Sequence, residues 1–319
     1  MTPAGATFDS VQMTASTVAS AARSPLVWSQ SAEAPFSIHR PEGQASPLVF
    51  ASPHSGRLYP KDMMAASALD ADAIRRSEDA LVDELIEAGV THGATVIAAS
   101  YARAYIDVNR EPYELDASMF EDELPDFARG RSARVAAGLG SIARIVAEGQ
   151  EIYARKLTFA EASERIETVH RPYHAALDQL LNEAATEFGL AVLIDWHSMP
   201  AAAARTLGQS GDVAVAGACD LVLGDRFGAA CAPKITALVQ AEFEAMGYRV
   251  ARNAPYAGGY TTEFYGRPQA SRHALQVEIN RALYLNETTL APHDGFQRLK
   301  TDLERVFAAL SALARDPLV

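Results

Sequence analysis

The run Leu190-Ala191-Val192-Leu193-Ile194 is apolar at every position and is closed at once by Asp195-Trp196-His197-Ser198. Successive side chains of a strand point to opposite faces of its sheet, so such a run needs apolar cover on both sides. It belongs in the middle of a sheet flanked by helices, and the remaining sequence supplies both kinds of element. Short strand-like runs lie at Leu48–Ser52, stopped by Pro53-His54-Ser55-Gly56, and at Ala94–Ala99, Ala104–Val108, Val213–Ala216, Tyr248–Ala251 and Ala274–Ile279. Apolar periodicity predicts helices over Asp72–Ala88, with Gly89 as stop, and near 132–148, 160–188, 233–246 and 295–314. The alternation predicts an α/β fold with a mainly parallel or mixed sheet covered by helices, without internal repeats. Residues 1–35 lack periodicity and are expected to form a loosely ordered N-terminal arm, leaving 36–319 as a single domain.

Composition excludes several classes of function. Polar residues interrupt every apolar run well short of the roughly 20 residues a spanning helix needs, so no membrane span is expected. A net charge of −12 disfavours nucleic acid and anionic membranes as partners, since both require a basic face. The N-terminus has no compact apolar block behind a basic start, so the expected address is cytoplasmic. Cys219 and Cys231 are the only cysteines and are expected to be reduced and packed as small apolar groups. An acidic protein that takes an acidic metabolite must hold it with local arginines, which makes their placement more telling than the total charge.

In open α/β sheets, ligands sit beyond the carboxyl ends of the strands. His54 and His197 each follow a buried-type run directly, beside a serine, and are expected to point into one crevice. A catalytic zinc site takes three protein ligands and keeps one position open, and two imidazoles with one carboxylate would complete it. The third ligand is expected to be Asp79, with Glu78 as the alternative; on a continuous helix Asp83 would share the face of Asp79 at i+4 and could orient a ligand. The competing reading of this acidic stretch is a solvated turn.

Glu278 lies between Val277 and Ile279 in a strand-like run, where a carboxylate is costly unless paired or used. Beside a metal that lowers a water's pKa toward roughly 7, it would suit a general base; the alternative is a salt bridge to Arg281 or Arg110. Asp107-Val108-Asn109-Arg110 and Glu278-Ile279-Asn280-Arg281 both end in Asn-Arg, so Asn109, Arg110 and Arg281 are candidate clamps for a carboxylate. Arg103 is a candidate for the oxyanion of a tetrahedral intermediate or for a second carboxylate. The loop carrying Tyr256, Gly258 and Gly259 can cover a substrate, its glycines allowing close approach. Its Gly-Gly pair matches neither a phosphate-binding loop nor a dinucleotide fingerprint. His170 and His174 have the i, i+4 spacing of a zinc pair, but positions 171 and 172 are Arg and Pro, so the catalytic Glu of His-Glu-x-x-His is missing. No Gly-x-Ser-x-Gly elbow occurs either.

Taken together, Pro53-His54-Ser55-Gly56 with Tyr59-Pro60, Asp79–Leu85, Asp107–Arg110, Asp195–Met199, Asn253–Tyr260 with Tyr265-Gly266-Arg267-Pro268, and Leu275–Tyr284 resemble the N-formylglutamate amidohydrolase family over about residues 46–310. The resemblance implies a three-layer α/β/α fold of phosphorylase/hydrolase-like type, shared with zinc exopeptidases. It implies hydrolysis of N-formyl-L-glutamate to formate and L-glutamate in histidine breakdown, with His54, Asp79 and His197 on zinc and Glu278 as base. Arg103 would then serve the oxyanion and Asn109-Arg110 the α-carboxylate. Zinc carboxypeptidases carry a Glu three residues after the first His, whereas position 57 here is Arg. Another first-row divalent metal, another N-acyl amino acid or short peptide as substrate, and a non-catalytic small-molecule-binding module are the competing expectations. Oligomeric state is not legible.

Overall fold

The computed structural model describes residues 33–146, 149–205 and 219–314. Seven strands form one sheet: β1 (Phe36–His39), β2 (Leu48–Ser52), β3 (Thr95–Ala99), β4 (Ala191–Met199), β5 (Leu221–Gly224), β6 (Val250–Arg252) and β7 (Arg272–Asn280). Their spatial order is β1-β3-β2-β4-β7-β5-β6. β3, β2, β4 and β7 run parallel, while β1 pairs with β3 and β5 with β7 in antiparallel sense, so the sheet is mixed.

The central pair β4 and β7 is in register over nine residues, from Ala191 opposite Arg272 to Met199 opposite Asn280. Every residue of β4 is buried, as its two-sided apolar run requires. On one face Leu193 and Ala274 pack with Tyr173, Leu177, Leu180 and Leu181 of the helix Arg171–Phe188. On the other, Ile194, Trp196 and Val277 pack with Val239 and Phe243 of the helix Pro233–Ala245 and with Leu303, Val306 and Phe307 of Gly295–Ala314. Each such buried Leu, Ile, Val or Phe side chain contributes roughly 1.5–3 kcal/mol of hydrophobic stabilisation. Among the described residues no helix is long and apolar enough to cross a membrane.

The helix expected near 160–188 begins at Phe159, where Thr158 and Glu161 form a reciprocal capping box. It passes through a π-helical turn at Ile166–His170 before Arg171–Phe188. The expected helices near 233–246 and 295–314 are present within a residue or so.

Three local expectations are corrected. Asp72–Ala88 is not one helix but a 3-10 turn, Ile74–Ser77, and a short helix, Val82–Ile86, separated by extended Glu78 and by Leu81 at φ 65°. The interruption has a physical cause: Glu78 is fully buried, gripped by Arg75 and the Tyr59 hydroxyl, while the Asp79 N–H donates to the His54 carbonyl at 3.0 Å. Asp83 therefore shares no helix face with Asp79 and pairs with Arg57 instead. Among the described residues of 132–148 the α-helix is confined to Ala133–Ala136 and is followed by Gly138 at φ 79°. Residues 104–108 turn rather than extend, with the Tyr105 N–H bonded to the Ala102 carbonyl at 2.9 Å and Arg103 paired to Asp107 across the turn. The strand expected at Val213–Ala216 lies outside the described residues, as does nearly all of the N-terminal arm.

Candidate active site

Alternation along β4 and β7 builds a polar ladder on one face near their carboxyl ends. Asp195 stands opposite Gln276 and His197 opposite Glu278, while the intervening Trp196 and Val277 enter the apolar core behind. β2 delivers His54 to the same place from the loop after Ser52, and the break after Ser77 delivers Asp79. His54 Nδ1, His197 Nδ1 and Asp79 Oδ2 converge: the two nitrogens are 3.1 Å apart, and Asp79 Oδ2 is 3.3 Å from His54 and 3.0 Å from His197. All three side chains are buried, and among the described residues they form the one His/Cys/Asp/Glu group compact enough to hold a metal ion. Glu78, the alternative ligand, points away into its bonds with Arg75 and Tyr59.

The remaining nitrogen of each imidazole meets a carboxylate. His54 Nε2 lies 2.7 Å from Asp107 Oδ1, and His197 Nε2 lies 3.0 Å from Asp195 Oδ2. An Nε2–H donated outward leaves Nδ1 free as a ligand, the arrangement that orients metal-binding histidines. Two bare imidazole nitrogens and a carboxylate oxygen so close together repel unless a proton or cation lies among them. Ligand atoms held tetrahedrally at about 2.0–2.1 Å from zinc are themselves about 3.3 Å apart, close to the separations found here. The donor set therefore fits a divalent ion.

The electrostatics favour positive charge at the same point. Burial alone would lower the pKa of His197, but Asp195, Asp79 and Glu278 hold it well above the ordinary imidazole range. Burial would raise Asp79, yet the bonds from His197 and His54 and the charge of Arg103 keep it well below the usual carboxylate range. Asp107 is likewise held low, against burial, by His54, Arg103 and Arg110. Glu278 differs: burial pushes its carboxyl up, with the nearby Asp79 adding to the effect against His197, His54 and Arg103. A carboxyl group poised in this way, next to a cation site, can take and return a proton.

The arginines divide by partner. Arg103 donates to Asp107 Oδ2 at 2.7 Å and approaches Asp79 Oδ1 at 3.8 Å. Arg281 donates through Nη2 to Asp79 Oδ1 at 2.9 Å and through Nε to Ser198 Oγ at 3.1 Å, so its contacts steady the Asp79 carboxylate and it does not pair with Glu278. Arg110 donates only to the carbonyls of Leu139 and Asn109 and has no carboxylate within ion-pair distance among the described residues. The Asn109 amide nitrogen lies 3.0 Å from His197 Nε2 and donates to Asp195 Oδ2 at 3.3 Å, while its oxygen accepts the Thr261 N–H at 2.8 Å.

Thr261 follows the glycine loop, which docks directly on the site. The Gly259 N–H donates to Gln276 Oε1 at 2.7 Å, and Gln276 Nε2 donates to Glu278 Oε1 at 2.8 Å. Gly258 has φ 126°, a backbone conformation that favours glycine, and a Cβ on Gly259 would lie 2.6 Å from the Asn109 amide. Half-buried Tyr256 packs against the small apolar cluster that includes Met199 and Val222, and its pKa is raised by burial and by the charges of Glu278 and Asp79.

The sequence points to every member of the central group but gives no role to Asp107, Asp195 or Gln276. Asp195-x-His197 and Gln276-x-Glu278 carried a signal, since residues two apart on a strand share a face. Nothing local announced that Asp107 would reach His54.

The family model for N-formylglutamate amidohydrolase matches residues 46–285. Two curated relatives, the N-formylglutamate deformylases of Pseudomonas putida and Pseudomonas aeruginosa, are each 28% identical over 249 and 251 residues respectively, covering 76% of this chain and 83% of theirs. The crystal structure of an N-formylglutamate amidohydrolase from Ralstonia eutropha JMP134 superposes with a TM-score of 0.83 at 39% identity, covering 89% of this chain and 99% of that one. A gene product of Agrobacterium tumefaciens shares the fold, with a TM-score of 0.60 at 15% identity over 90% of this chain and 98% of its own. Because the family model matches residues 46–285, most of its length, the chain belongs to the N-formylglutamate amidohydrolase family.

Proposed function

We propose that this protein hydrolyses the formyl amide of N-formyl-L-glutamate, giving formate and L-glutamate, at a divalent-metal centre held by His54, Asp79 and His197. The observation that carries this reading is the convergence of three buried donor atoms whose imidazoles are each backed by a carboxylate, in a chain of this family. His54 just after β2 and His197 near the carboxyl end of the parallel β4 stand where α/β sheets hold their ligands, and we extend the reading to the zinc exopeptidase-like grouping. Zinc, or a first-row neighbour, would supply Lewis acidity to the formyl carbonyl and lower the pKa of the attacking water.

The chain's own groups do the rest. Asp107 and Asp195 hold the Nε2–H tautomers, and Arg281 steadies Asp79. Glu278 takes the water proton and delivers it to the leaving nitrogen; burial, which raises its pKa, suits both halves of that transfer. Arg103, charged because Asp107 and Asp79 outweigh its burial, stabilises the developing oxyanion. Arg110, lacking a carboxylate partner, receives a substrate carboxylate, and Tyr256 with the Gly258-Gly259 loop closes over the bound molecule. Binding and proton transfer are thus assigned to different residues, which makes them separable by mutation.

The test pairs metal analysis of freshly purified protein with turnover of formyl-glutamate, formyl-aspartate, formyl-methionine and acetyl-glutamate. Formyl-glutamate should be the preferred substrate, with about one metal per chain. Glu278→Gln should retain the metal while turnover falls by several decades. Full activity in that variant would remove Glu278 from the mechanism.

A further inference from the structure

The two histidines that sequence spacing marked as a possible metal pair have a different use. His174 Nε2 lies 2.7 Å from the Val108 carbonyl and His170 Nε2 lies 2.9 Å from the Arg110 carbonyl, reaching across 66 and 60 residues of sequence. The two rings are in contact at 4.5 Å between centroids, tilted by 34°, and the Tyr265 hydroxyl lies 2.9 Å from His174 Nδ1. Their donor atoms are thus directed at carbonyls, and neither histidine belongs to a compact ligand group among the described residues.

What they hold matters. Residues 107–110 are a turn, outside the hydrogen-bonded ladder of the sheet, yet this turn presents Asp107 to His54 and Asn109 to Asp195 and His197. Tyr265 ends the helix Tyr260–Tyr265, which starts from the glycine loop over Glu278. His174 therefore ties together two segments that meet the site from different sides. The π-helical turn Ile166–His170 lies directly before Arg171–Phe188, and inserting a residue into an α-helix turns its two parts by about 100° relative to each other, changing which residues face the turn.

We infer that His170 and His174 are positioning residues: by gripping the Val108 and Arg110 carbonyls they set Asp107 and Asn109 against the two metal-binding imidazoles. Burial lowers the pKa of both, that of His174 to about 3, so each acts as a neutral donor and adds no charge near the metal. The inference rests on the metal-centre reading above and extends it to a layer of residues that never touches metal or substrate.

Zinc affinity, measured by competition with a chromogenic chelator, tests it on wild-type protein, His174→Gln and His174→Phe, with circular dichroism confirming the fold. Gln keeps a nitrogen donor near the Nε2 position and should bind zinc within about threefold of wild type. Phe keeps the ring but loses the bond, and should bind about tenfold more weakly, the low end of the loss seen when a ligand's own hydrogen-bond partner, here Asp107, is displaced. A folded His174→Phe protein with wild-type zinc affinity would overturn the inference. If that variant does not fold, His170→Phe is measured instead, and unchanged affinity there overturns it equally. Wild-type protein that binds no metal would sink the metal-centre reading itself, a distinguishable result.

Discussion

Adding one methyl group to Gly259 should uncouple the loop from the site. The backbone at this position, φ −92° and ψ −162°, is open to any residue, so the cost comes from space alone. The new Cβ would lie 2.6 Å from both terminal atoms of the Asn109 amide, about 0.8 Å inside the 3.4 Å at which ordinary contact begins. Asn109 is buried and bonded to Thr261 and Asp195, so retreat breaks roughly two hydrogen bonds at about 1 kcal/mol each. Gly259→Ala should therefore lose about 2 kcal/mol of stability, or roughly 4 °C in Tm for a chain of this size. Because Asn109 also lies against His197, a displacement approaching 1 Å should lower kcat on formyl-glutamate about 100-fold. The discriminating assay is a double-mutant cycle in urea. In an Asn109→Ala background the clash is gone, and the same glycine substitution should cost less than about 0.5 kcal/mol. Additive costs would mean that Gly259 does not press on Asn109 and that the loop is not coupled to the site through this contact.

Dialysis against a strong chelator should abolish turnover, and stoichiometric zinc should restore it; activity that survives demonstrated metal loss would contradict the proposed centre. His174, surrounded by His170, Tyr173, Tyr260, Tyr265 and the Val108 carbonyl, has a folded pKa of about 3, below its unfolded value, so below pH 6.5 the unfolded chain binds the extra proton. Its contribution to stability should fall by about 2 kcal/mol between pH 7 and pH 5, and His174→Gln should show a correspondingly flatter pH dependence in denaturant titrations; an identical slope would refute the assignment. Thr158→Ala removes one side of the capping box and should cost about 1 kcal/mol in the same assay without changing KM.

Much of this molecule is legible in its sequence. Leu190–Ile194 demanded a covered central strand because nothing in it tolerates water, and long amphipathic helices were recognisable wherever one stripe stayed apolar over several turns. His54, His197 and Glu278 were identifiable because each is a polar residue at the end of, or inside, an otherwise buried run, where only use or pairing offsets the desolvation. Such signals are local, carried by neighbours within a few residues.

Only the tertiary structure decided the rest. The broken segment around Glu78 and Leu81 looks helical by pattern, but the buried grip of Arg75 and Tyr59 on Glu78 overrides propensity and turns Asp79 toward the histidines. Asp107 behind His54, Arg281 on Asp79, and His170 and His174 on the turn at 107–110 join residues 53 to 202 positions apart. A sequence specifies which groups must be buried and which must be satisfied; which partner satisfies each one follows from strand order and register, which are set by packing of the whole chain.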